Sequence, residues 1–190
     1  KVEPVSALAG SEKYSCVGGP FGSNLTTKDY VEYEGVPVSR GTNLKIGSRV
    51  FIDENFVYVS KEKAKKLEKN SAGRGDIILT QRGTIGQVAF IPESSRYERY
   101  ILSQNQMKIT LDSSKVNMKY FLYYFLSKKV QDNIQRIVIG GVIPGFNLTQ
   151  FREFEVVVPP LDYQNEIVAT LDSLDSKIEL NRQTNQTLEQ

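Results

Sequence analysis

From Asp162 to Gln190 the chain runs for 29 residues without a proline or a glycine. Ile167, Leu171, Leu174 and Ile178 follow one another there at alternating steps of four and three residues, and the register continues through Asn181, Asn185 and Leu188. That spacing predicts one long helix with a coiled-coil seam, a rod of roughly 43 Å at 1.5 Å per residue. Pro159 and Pro160 stop the preceding strand as a central ladder, Asp162 is the expected N-cap, and Glu166 falls in the first turn. An apolar stripe on a lone helix ordinarily caps its own domain. This stripe is too long for that alone, so Ile167, Leu171, Leu174, Ile178, Asn181, Asn185 and Leu188 are read as a helix-pairing interface. Asparagine within a seam fixes register and partner geometry at some loss of stability. The nearest available partner is a second copy of the chain, which makes self-association the expectation.

The remainder, residues 1–160, has the size and balance of one globular domain, in a chain of 190 residues with 39% hydrophobic and 24% charged residues. Short runs rich in Val, Ile, Phe and Tyr recur at 36–38, 56–59, 76–80, 87–91, 106–110 and 154–158, bounded by Gly, Pro, Asn or Asp, and predict strands. Between them, Ser60 can cap a polar helix over KEKAKKLEKN that needs only Ala64 and Leu67 inward. A second helical run, MKYFLYYFLSKKVQDNI, is capped by Asn117 and carries Phe121, Tyr124, Phe125 and Ile134 near helical spacing; it is read as core rather than as a base-stacking platform. The predicted class is α+β: a mixed, largely antiparallel sheet domain with short helices, followed by a long C-terminal coiled-coil helix.

The chemistry of catalysis is hard to find in this composition. With no histidine, triads and imidazole acid-base pairs are impossible, and the lone Cys16 has no histidine to make its thiolate. The same two facts exclude an internal disulfide and remove the commonest metal ligands. The glycines at Gly73, Gly75, Gly83, Gly86, Gly140 and Gly141 match neither the dinucleotide fingerprint nor a P-loop, and no Glu-x-Lys triplet of a magnesium nuclease occurs. No apolar run approaches the roughly 18 to 20 residues of a membrane span, and the start lacks a signal-peptide pattern, so a cytoplasmic location is expected. The chain begins without methionine, and its natural ends are expected to lie outside it. A net charge of +2 leaves any nucleic-acid footprint to local clustering.

Three loop segments concentrate polar donors beside glycine: GPFGSNLTTKDY, SRGTNL and TQRGTIGQ. Glycine lets backbone approach a phosphate, while Arg, Lys, Asn, Gln and Thr supply donors for phosphates and base edges. Such segments are also ordinary hairpin connections. The candidate DNA-facing residues are Arg82, Gln81 and Thr84 first, then Arg40 and Asn43, then Lys28 and Arg74. Each has a second reading as a surface or turn-stabilising residue.

The ordered series GPFGS, VPVSRGTNL, GDIILTQRGTIGQVAFIP, LSQNQ, KYFLYYFLS, GGVIPGFNLTQF and VVVPPLDYQNEIVATLDSLDSKIE resembles a repeat of the specificity subunits of type I restriction-modification systems. The junction from PPL into IVATLDSLDSKIE is similar to that family's spacer region. The resemblance implies a non-catalytic reader of double-stranded DNA: a target-recognition domain over 1–160, and a spacer helix over 161–190 for dimerisation and subunit docking. In such systems each domain recognises one half of a split target, and spacer helices pair to set the distance between halves. Separate methyltransferase (M) and restriction (R) subunits carry S-adenosylmethionine, ATP and Mg, so no cofactor is expected here. This chain has one domain and one helix where the full pattern has two of each. A coiled-coil adaptor that binds protein without DNA specificity explains the seam and the missing catalysis equally well.

Overall fold

A computed structural model describes residues 1–44, 51–139 and 145–188. The chain opens with β1 (Val2–Pro4), the short helix α1 (Val5–Leu8), β2 (Cys16–Gly18), β3 (Tyr30–Val31), β4 (Val36–Ser39), β5 (Val57–Val59) and α2 (Lys61–Lys66). It continues through β6 (Ser71–Gly73), β7 (Ile77–Thr80), β8 (Val88–Phe90), β9 (Arg99–Leu102) and β10 (Gln106–Ile109). The helices α3 (Met118–Leu126), α4 (Lys128–Ile139) and α5 (Leu148–Glu153), the strand β11 (Glu155–Val157) and the long helix α6 (Leu161–Leu188) complete it. The strands form sheets in the orders β1-β11, β2-β10-β7-β8 and β3-β5-β4-β9-β6 among the described residues. Pairing is antiparallel except between β4 and β9, where Val38 lies opposite Ile101. The mixed, largely antiparallel α+β class is therefore the one observed.

Period-two alternation explains how the two larger sheets stack. In β7 all four residues are buried: Ile77 and Leu79 point into a core shared with α3, α4 and α5, while Ile78 points the other way, toward Tyr100 and Leu102 of β9. Strand β9 alternates in turn, with Ile101 facing Ala64 and Leu67 beside α2. The order of layers is thus helices, four-stranded sheet, five-stranded sheet, α2. Met107 and Ile109 of β10 join the helical core, whereas Lys108 between them faces Asp76 at 3.0 Å, a pair almost wholly withdrawn from solvent. Thr110 bonds to both members, so neither buried charge is left without a partner.

Five strands, β1, β2, β3, β6 and β9, fall where the sequence predicts none. Each has only two to four residues and completes a sheet by pairing with a distant partner, as β1 does with β11 across the whole domain. The second helical run is broken at Ser127, whose backbone is extended (φ −63°, ψ 141°) and whose Oγ donates to the Tyr124 carbonyl. As expected, Phe121, Phe125 and Ile134 are core residues and Asn117 caps α3. Ser60 caps α2 by accepting from Lys63 N, and Ala64 and Leu67 are the buried residues of that stretch. The long helix begins two residues earlier than a cap at Asp162 implies. Gln164 N donates to the Pro160 carbonyl, so Asp162 lies inside the first turn rather than at the cap. The Gly140–Gly141 pair lies outside the described residues.

Candidate nucleic-acid interface

The turn between β7 and β8 is built from backbone geometry that its sequence demands. Gly83 and Gly86 sit at φ +81° and +88°, in the left-handed region that glycine enters without strain. Gln131 of α4 clamps the turn by donating to the carbonyls of Gly86 and Phe125, and leaves no room for a Cβ on Gly86. From the other side Phe146, fully buried, donates its N–H to the Gln81 carbonyl. Gln81 is tied to the neighbouring turn as well: its N–H donates to Asn105 O, and its Nε2 donates to Gln104 O at 2.7 Å. Gln104 continues the chain of braces by donating to the carbonyls of Gly22 and Leu25.

These braced turns enclose an open groove of about 680 Å³. Its lining includes Phe21, Lys69, Gln81, Arg82, Gln104 and Arg152, and no Asp or Glu among the described residues. Lys69 is positioned by its neighbour Asn70, whose amide donates to Gly18 O. Arg152 of α5 is positioned by a bond to the Cys16 carbonyl. Burial pushes the Cys16 thiol up, against the pull of Arg152, so the lone cysteine is held as a thiol. A second groove of about 440 Å³ shares Gln104 and is lined by Thr26, Thr27, Arg40, Gly41 and Asn105 among others, again without a carboxylate among the described residues. Arg40 there donates to Asn55 O at 3.0 Å, while its buried Nε has no partner among the described residues. The two grooves form a tract carrying Arg40, Lys69, Arg82 and Arg152, although 22 of the 190 residues are acidic.

Of the residues proposed from sequence, the tract brings together Gln81, Arg82 and Arg40. Lys28 is exposed on the short turn Thr27–Asp29 beside the second groove. Thr84 is exposed at the tip of the β7–β8 turn, outside the groove lining. Arg74 lies at the opposite end of β7 from Arg82 and donates to Ser95 O at 2.8 Å. Asn43 requires a correction. Its Oδ1 accepts from Arg40 N and its Nδ2 donates to the carbonyls of Ile52 and Glu54, and at 1% exposure it cannot reach a base. It is a capping residue that holds the Arg40 turn. Lys69, Gln104, Arg152 and Phe21 escaped the sequence reading as individuals, because they come from four separate segments that only the fold assembles.

The C-terminal helix is docked on the domain by its first half. Gln164, fully buried, accepts from Asn117 N and donates to the carbonyls of Lys115 and Pro159. Val168 is buried beside it, and the Tyr123 hydroxyl lies between the carboxylates of Asp172 and Asp175 at 2.7 and 2.6 Å, within donating reach of either, Asp172 also pairing with Lys119. Within the seam, Leu171 is half-buried, whereas Ile167, Leu174, Ile178 and Leu188 are 41, 56, 49 and 79% exposed and Asn181 and Asn185 are exposed as well.

Residues 18–190 match the family model of the type I restriction modification DNA specificity domain. The chain belongs to that family. It is 25% identical over 166 residues to the MjaIX specificity subunit of Methanocaldococcus jannaschii, covering 87% of this chain and 34% of that one. Against the HindI specificity subunit of Haemophilus influenzae it is 25% identical over 145 residues, covering 73% of this chain and 31% of that one. The chain thus spans about a third of the length of these relatives. Its fold is shared with the HsdS subunit of Thermoanaerobacter tengcongensis, at TM-score 0.65 and 14% identity over 95% of this chain and 38% of that one. A chain from a structure of the type I R-M system gives TM-score 0.68 and 13% identity over 95% of this chain and 39% of that one. Among the described residues no helix is long and apolar enough to cross a membrane.

Proposed function

We propose that this chain is a non-catalytic DNA reader: residues 1–160 recognise one half of a bipartite target, and α6 sets the distance to the other half and directs separate methyltransferase and restriction subunits to it. S-adenosylmethionine, ATP and Mg belong to those subunits on this reading. The observation that carries it is the tract of Arg40, Lys69, Arg82 and Arg152, without a carboxylate in its lining among the described residues, on turns braced by Gln81, Gln104 and Asn43. A duplex laid along such a tract meets cations for its phosphates and amide donors for its base edges. Four cations neutralising four phosphates give a slope of log K against log salt of about −3.6. Fluorescence anisotropy of a labelled duplex titrated with the chain at several salt concentrations measures that slope. A chain that binds no duplex at low salt, or binds with a slope near zero, would sink the reading.

A further inference from the structure

Phe21 is the most exposed large hydrophobic residue among those described, at 82%. Most of its ring is left in water, and yet the loop that carries it is held on both sides. Gly19 lies so close to Ser103 that a Cβ would fall 1.8 Å from the Ser103 carbonyl oxygen, and Gly19 N donates to Gln106 O. Gly22, at φ +56°, takes a conformation that favours glycine, and the Gln104 amide donates to the carbonyls of Gly22 and Leu25. Pro20 is buried next to the ring and Asn24 N closes the turn onto Phe21 O. An apolar ring on a floppy loop would fold back onto the surface. Here the loop is braced, and Phe21 lines the same groove as Lys69, Arg82 and Arg152.

From this juxtaposition we infer that Phe21 is a wedge that inserts between two stacked base pairs of the duplex held in the groove. The inference rests on the DNA-reading function proposed above and adds to it a residue that reads the DNA by deforming it. The lining selects the occupant: three cations and no carboxylate among the described residues suit a polyanion, and the faces of nucleobases are the apolar surface a polyanionic duplex offers. Inserted side chains partly unstack a base step and kink the duplex. Unstacking is easiest at pyrimidine–purine steps, so the wedge imposes a preference for such a step without a hydrogen bond to either base.

The test is selection from a pool of randomised duplexes by the full chain and by Phe21→Ala and Phe21→Trp, with anisotropy on the selected sequence. The wild-type motif should contain a pyrimidine–purine step. Phe21→Ala should select the rest of that motif with the step preference gone and bind the selected duplex about 10-fold more weakly, while Phe21→Trp keeps both. Unfolding temperatures should be alike, since the ring supports no core. Phe21→Ala that selects the same motif and binds within two-fold overturns the wedge, and does so more pointedly if it also fails to retain a methyltransferase subunit, which would assign the ring to a protein contact. A loss confined to one thymine, reproduced in wild type by deoxyuracil at that position, would mean a methyl contact in the groove and also overturns insertion. If the wild-type chain enriches no duplex, the DNA-reading function fails and the wedge with it; if the wild type enriches a motif that Phe21→Ala reproduces, only the wedge fails.

Discussion

Asn43 and Arg82 show how differently two polar residues of similar loops can act. Both stand in glycine-bearing polar segments, and from composition alone both are donors for DNA. The fold turns Asn43 inward, where it satisfies three backbone groups, and leaves Arg82 exposed in the lining of the groove. Removing Asn43 takes the partner from two carbonyls and an N–H and empties a buried site, so Asn43→Ala should lower stability by about 1 to 3 kcal/mol, measured by denaturant unfolding. Its effect on DNA should follow from that loss rather than from a lost base contact. Arg82→Ala should leave stability unchanged and weaken DNA binding. A base contact shows as a loss of about 1 to 3 kcal/mol on the cognate half-site, and a phosphate contact as a uniform loss with a salt slope smaller by about one unit. An unchanged affinity and slope in a folded Arg82→Ala chain would place that side chain away from the DNA.

Helix α6 serves two surfaces at once, and its heptad pattern describes only one of them. Gln164, Val168, Asp172 and Asp175 face the domain, and they follow helical spacing as faithfully as the seam does. Polar residues in that set hide it from a search for apolar periodicity. Leu171 is half-buried and immediately precedes Asp172 of the docking face, so a charge there would test pairing less cleanly than one farther along the helix. Leu174 and Ile178 lie clear of the domain at 56 and 49% exposure. If α6 pairs with a second copy, Leu174→Asp together with Ile178→Asp should abolish dimers while the unfolding transition stays where it is. Light scattering on wild type and variant decides this, and a wild-type chain monomeric at tens of micromolar would refute self-pairing.

For the molecule as a whole, the docking of α6 turns a helix into a measured arm. Its 28 residues span roughly 42 Å, and the segment 176–188, beyond the last contact with Tyr123, extends for roughly 20 Å of that. Two copies joined antiparallel through these arms would hold their grooves apart over separated half-sites. A two-fold axis between identical readers requires two inverted copies of one short sequence, whereas a chain paired with a different domain reads unrelated halves. Supplied with the methyltransferase subunit of such a system, the chain should direct methylation to one bipartite motif, and self-pairing makes that motif an inverted repeat. Sequencing of modified bases reads the motif directly. Alone, the chain should transfer no methyl group from S-adenosylmethionine to DNA; turnover by the isolated chain would overturn the non-catalytic assignment.

The sequence by itself determined the features that repeat along the chain. The long C-terminal helix, the strands β4, β7, β8 and β10, the capped helices at Ser60 and Asn117 and the aromatic core of α3 all depend on neighbours within a few residues, where periodicity and capping act. The family resemblance was readable for the same reason, in ordered local motifs. Only the tertiary structure decided which donors face one another. Strands as short as Tyr30–Val31 exist because a distant partner pairs with them, and Asn43 is buried because residues 52 and 54 return across it. The groove takes Phe21, Lys69, Arg82, Gln104 and Arg152 from segments up to 131 residues apart. Their convergence is a property of chain closure, which no local pattern encodes, and on it the proposed DNA-facing surface rests.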